Sequence, residues 1–170
     1  MDLKPLNMTP LSMNGRLCLF VIFLQSVHPM DNIREASFQD FKSIYYLSQF
    51  LGYEESSEKL AAIRFQNILD SIDDKVWIFE VGNSIYGWLH VFTAYRIASP
   101  HCAEIGGLVV DPSCRRQGIG GRLVDHATNW AKLKNLSLRV RCNSTRKDTH
   151  EFYTLLGFSY RKTQYVLDWG

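Results

Sequence analysis

The chain has 170 residues, 46% of them hydrophobic and 21% charged, which suits one globular domain with a real core. A net charge of only +2 argues against a dedicated nucleic-acid binder, and no apolar run approaches the roughly 18 residues a membrane-spanning helix needs. Cys18, Cys102, Cys114 and Cys142 include no C-x-x-C pair, which speaks against a zinc or dithiol site and fits reduced thiols in a cytoplasmic protein.

Residues 1–29 lack periodicity and contain an eight-residue apolar run, 17–24 (LCLFVIFL). A secretory leader would need a more basic start and small residues at its exit. An extra edge strand and an extension upstream of a start at Met30 are the other two readings. The body, 30–170, reads as one domain. Residues 33–36 form a short strand, and Phe38, Phe41, Ile44, Tyr45 and Leu47 recur at helical spacing up to a stop at Gly52. A second helix over 57–69 is expected to bury Leu60, Ala61, Ile63, Ile68 and Leu69. Strands 76–81 and 85–93 meet at Gly82-Asn83-Ser84, a hairpin signal, and a third strand spans 103–110. The longest helix, 118–134, carries Ile119, Leu123, Ala127, Trp130 and Ala131 on one face. A strand over 136–142 follows, then a short helix with Asp148 and Glu151 as a capping box and Gly157 as its end. A last strand over 164–169 closes the chain. The order β-α-α-β-β-β-α-β-α-β describes a mixed α/β domain with hairpins early and a crossover late.

The segment between the third strand and the long helix is the one that carries chemistry. Arg115, Arg116 and Gln117 are followed by Gly118, Ile119, Gly120 and Gly121. The first turn of a helix leaves backbone N–H groups unpaired at the positive end of its dipole. Glycines let a phosphate approach those groups, and two arginines add permanent charge. A Walker loop is absent, and Leu123 stands where a Rossmann loop needs its third glycine.

This run resembles the [RQ]-x-x-G-x-[GA] loop of the Gcn5-related N-acetyltransferases (the GNAT family). A second block is similar to the family's C-terminal signature: Asn143 beyond a strand, then Phe152-Tyr153 and Gly157-Phe158. The resemblance covers about 140 residues. It implies a single-domain mixed sheet of the acyl-CoA N-acyltransferase type, with helices on both faces and splayed central parallel strands. It also implies that acetyl-CoA is the cosubstrate, with no metal. The pyrophosphate would meet the loop from Arg116 to Gly121, with Arg115 close by. The pantetheine arm would pair with the backbone of Leu108, Val109 and Val110, and Asn143 would touch CoA.

In the same resemblance Tyr153 is the candidate acid that protonates the departing thiolate, with packing under the CoA arm as its alternative role. Glu104 is the candidate base. Its alternative is exposure at a strand edge, and Glu80 and His90 are other candidates for the base. Strand alternation would put Glu104, Gly106 and Leu108 on one side. Acetyl transfer to a primary amine by direct attack in a ternary complex is the expected activity, against a noncatalytic acyl-CoA sensor. The acceptor could be a small molecule or a protein amine, and similar proteins frequently form homodimers. Residues 1–110 hold 8 Lys+Arg and 12 Asp+Glu (net −4), whereas 111–170 hold 11 and 5 (net +6). The basic part coincides with the phosphate loop. The acidic part, including Glu54, Glu55, Glu58, Asp70, Asp73 and Asp74, is compatible with a cationic acceptor.

Overall fold

A computed structural model describes residues 31–53 and 57–169. The 17–24 run, Cys18, Glu54 and Glu55 lie outside the described residues. Five strands stand side by side in chain order: β1 (Asp31–Glu35), β2 (Asp74–Val81), β3 (Ser84–Ala94), β4 (Cys102–Val110) and β5 (Leu138–Val140). The first three pairings are antiparallel and β4–β5 is parallel. The β2–β3 hairpin turns at Gly82, whose φ of 59° is a left-handed value that glycine adopts without strain.

Helices cover both faces because both faces are apolar. Along β2, Val76 and Ile78 point to one side while Trp77 and Phe79 point to the other. The first pair packs under α1 (Phe41–Ser48) and α2 (Glu58–Asp70). The second packs under α3 (Ile119–Leu133), the crossover between the parallel strands, through Leu123, Val124, Ala127 and Ala131. Leu89 and Leu123 are fully buried there, each worth about 2 kcal/mol of apolar transfer. Gly52 ends the first helical region with φ 74°, and Ser57 Oγ accepts from Leu60 N–H at the start of α2.

Several expectations are corrected. On α2, Leu60 and Ile63 are exposed, and Phe65 is the buried residue. Its ring packs against Phe38 and Phe41, and burying that larger aromatic surface turns the helix away from the Leu60 stripe. Asp148 does not cap α4 (Lys147–Leu155). Asn143 Oδ1 accepts from the Thr145 N–H and hydroxyl, and this Asx turn starts the helix earlier, with Arg146 at the cap position. Residues 164–169 form no strand. Tyr165, Leu167 and Trp169 are more than nine-tenths exposed, and no described strand lies alongside to supply the ladder bonds a strand requires. Trp169 therefore does not serve in core packing.

Candidate active site

The phosphate loop leaves β4 through an Asx turn. Asp111 Oδ1 accepts from the Ser113 N–H (2.9 Å) and hydroxyl (2.6 Å), and buried Cys114 pins the loop from below. The chain then takes left-handed values at Arg116 (φ 59°) and Gly118 (φ 83°) before α3 begins. The first backbone bond of that helix runs from Arg122 N–H to Gly118 O at 3.0 Å. The N–H groups of Ile119, Gly120 and Gly121 are thus those an α-helix leaves without internal partners. Arg115, Arg116 and Gln117 are exposed beside them, and Arg115 Nε donates to Val110 O at the end of β4.

The glycines divide their work. Gly118 supplies the left-handed turn and has open space where a Cβ would stand. Gly120 instead permits close packing, because a Cβ there would lie 3.2 Å from the Phe152 ring of α4.

The central parallel strands separate where the resemblance requires it. They pair at Ala103↔Leu138, Glu104↔Arg139 and Ile105↔Val140, after which β5 ends while β4 continues to Val110. Leu108, Val109 and Val110 are matched to Leu89, Trp88 and Gly87 of β3, so their opposite backbone edge faces the gap. Halfway along β4 a bulge leaves Gly106 as an extra residue, with His90 opposite Gly107 and Val91 opposite Ile105. The bulge breaks simple alternation. Glu104 lies opposite Phe92, next to His90, whereas Leu108 packs with the α3 core. Glu104 and Leu108 therefore do not share a side.

The titratable groups occupy distinct settings. Glu104 is buried rather than exposed at an edge, and guanidinium groups hold its carboxylate. Arg141 Nε lies 2.8 Å from Oε1, while Arg141 Nη2 and Arg96 Nη2 lie 3.1 and 3.2 Å from Oε2. Three of the roughly four lone-pair directions of this carboxylate are thus taken by guanidinium N–H groups. Glu80 is engaged by Arg34 at 3.0 Å. His90 is different: its Nε2 lies 2.7 Å from Asp74 Oδ1, and Ser71 Oγ donates to the other Asp74 oxygen at 2.5 Å. Its Nδ1 faces Gly106, where a Cβ would come within 2.8 Å.

Burial pushes the Tyr153 phenol well above its ordinary pKa, with Cys142 adding to the shift, so the hydroxyl keeps its proton. The Asn143 side-chain oxygen is committed to its turn, which leaves its NH2 group for any ligand. His150 leans on the Asn143 carbonyl at 3.0 Å.

On the α1–α2 side of the sheet lies a cavity of about 370 Å³. Tyr45, Tyr53, Arg64, Phe65, Trp88 and His90 contribute to its wall, and among the described residues no carboxylate does. Trp88 Nε1 is buried without a hydrogen-bond partner among the described residues. The acidic residues of this region face elsewhere: Glu58 and Asp70 are exposed, and Asp73 accepts from the Tyr95 hydroxyl. Glu58, Asp70, Asp73 and Asp74 thus do not line the cavity. No three His, Cys, Asp or Glu side chains among the described residues gather as a metal site.

The sheet order, the gap beside β4 and the glycine-started crossover helix together define the acyl-CoA N-acyltransferase fold. The family model of the acetyltransferase (GNAT) family matches residues 33–158, and the chain belongs to that family. A curated relative, the uncharacterized N-acetyltransferase MJ1207 of Methanocaldococcus jannaschii, is 25% identical over 144 residues. That match covers 82% of this chain and 64% of the relative, so the chain spans somewhat less than two thirds of the relative's length. Among solved structures, the aminoglycoside 6'-N-acetyltransferase AAC(6')-Ig of Acinetobacter haemolyticus superposes with a TM-score of 0.71. It is 17% identical, over 82% of this chain and 98% of that one. AAC(6')-Iy in complex with CoA gives a TM-score of 0.72 at 16% identity, over 88% of this chain and 98% of the other. These likenesses are in fold.

Proposed function

We propose that the protein transfers the acetyl group of acetyl-CoA to a primary amine by direct attack in a ternary complex. The observation that carries this reading is the continuous backbone track of residues 106–121. It starts at the bulge beside the cavity, follows the open edge of β4, and ends at the N–H groups that start α3. The family assignment and the CoA complex of AAC(6')-Iy support acetyl-CoA as the cosubstrate. When bound, acetyl-CoA supplies a thioester carbon open to an amine nucleophile.

On this chain, Ile119, Gly120 and Gly121 would bind the pyrophosphate through backbone N–H groups, with Arg115, Arg116 and Gln117 around them. Leu108, Val109 and Val110 would hold the pantetheine arm as an added strand, and the Asn143 amide nitrogen is free to donate to it. Tyr153 would donate a hydrogen bond to the departing sulfur. Its retained proton suits that role better than outright proton release.

The aromatic and apolar side chains that the described residues bring to the cavity wall favour a small amine with an apolar body. A thiol-release assay with acetyl-CoA and an amine panel tests the reading. Amine-dependent release, greatest for aromatic or alkyl monoamines, is expected. Tight acetyl-CoA binding with no release across the panel would favour the noncatalytic sensor.

A further inference from the structure

We propose that His90, oriented by Asp74, is the base that takes the proton from the acceptor amine. This rests on the acetyltransferase reading and names a residue for its hardest protonation step. Most primary amines are ammonium ions at neutral pH, and an ammonium has no lone pair with which to attack a thioester.

Four observations converge on His90. It lines the cavity that can hold an acceptor. It lies opposite the bulge at the head of the backbone track. The Asp74 carboxylate, an acceptor only, makes Nε2 the protonated nitrogen of the neutral ring and leaves the lone pair on Nδ1. That Nδ1 is packed toward Gly106, where any side chain would collide with it. Glycine at this point therefore keeps space for the imidazole beside the track. Trp88, from the same strand and face, presents a buried N–H with no partner among the described residues, as expected where a ligand atom completes the site.

Among the described residues, the other charged groups around the ring leave His90 as the available base. Asp74 of β2 is bonded to it and to Ser71. Glu104 of β4 is held by Arg96 and Arg141. Tyr45 of α1, Arg64 of α2 and Tyr53 share the cavity wall and bring hydrogen-bond donors to it. The balance of the reaction is then complete. One proton of the ammonium passes to Nδ1 and on to water. The nitrogen–carbon bond forms as the carbon–sulfur bond breaks, and the second proton surrendered by nitrogen ends on the CoA sulfur.

The test uses the full chain with acetyl-CoA and the best amine from the panel. His90→Gln should lower kcat about a hundredfold and abolish the acidic limb of the kcat/KM profile, with acetyl-CoA affinity unchanged. Asp74→Asn should give a smaller loss, roughly tenfold. Independently of turnover, nitrogen NMR of the free protein should show the neutral His90 ring protonated at Nε2, and this preference should weaken in Asp74→Asn. Wild-type kcat and an intact acidic limb in His90→Gln would overturn the inference while leaving the acetyltransferase reading standing. So would a neutral ring protonated at Nδ1, which needs no variant to fold. If the wild type releases no thiol with any amine, the acetyltransferase reading itself fails and takes the inference with it.

Discussion

The two faces of the sheet are filled differently. Under α3, Leu89, Val91, Leu123, Val124 and Ala127 are sealed from solvent in one apolar cluster. Under α1 and α2, the same sheet carries aromatic side chains, a histidine and an unpartnered indole N–H around an open cavity of about 370 Å³. Close packing is the ordinary state of a protein interior. The α3 face is accordingly the closely packed half, and the α1–α2 face is the half where the proposed acceptor amine would sit.

Substitutions can break that contrast in order of expected size. Leu123→Ala should remove about 3 kcal/mol of stability in urea titrations, because the sealed face cannot collapse around the loss. On the open face the order comes from polar anchors. Arg34 makes a bidentate ion pair with Asp40, and its guanidinium, followed by the Ser37 N–H and hydroxyl, holds that carboxyl well below the usual carboxylate range despite burial. Asp40→Asn should cost about 2 kcal/mol at neutral pH. A carboxyl depressed by folding stabilises above its unfolded pKa of about 3.9 and loses that contribution as pH falls through its lower folded value. The gap between wild type and variant should therefore close in urea titrations taken below that range.

Tyr153→Phe should lower kcat about tenfold with acetyl-CoA binding unchanged, as read by thiol release and calorimetry. Unchanged kcat would reduce Tyr153 to packing on the sealed face. Trp88→Phe should have the smallest effect on stability, within about 1 kcal/mol in thermal melts. It trades lost volume against removal of a buried donor that has no partner. A cost like that of Leu123→Ala would contradict the division between the faces.

Local chemistry accounts for what the sequence discloses. The glycine-started α3, the Gly82 turn and the Gly52 stop each depend on a few adjacent residues, and all three appear where the sequence puts them. The backbone edge of Leu108, Val109 and Val110 follows from the same stretch. What stays hidden depends on partners distant in the chain. The Glu104 clamp needs Arg96 and Arg141 from different segments, and the bulge at Gly106 exists only against β3. The Gly106-Gly107 pair was the available signal for that bulge, since glycines within a strand often mark one. His90 was already one of several candidate bases in the sequence. Only the fold, by placing Asp74 and Gly106 on either side of its ring, separates it from Glu104 and Glu80.

Amide hydrogen exchange with and without acetyl-CoA tests the backbone track most directly. The account predicts slowed exchange within residues 106–110 and 118–121, with α1 and α2 unchanged until an amine is added. Protection confined to α1 and α2, or none along the track, would contradict it.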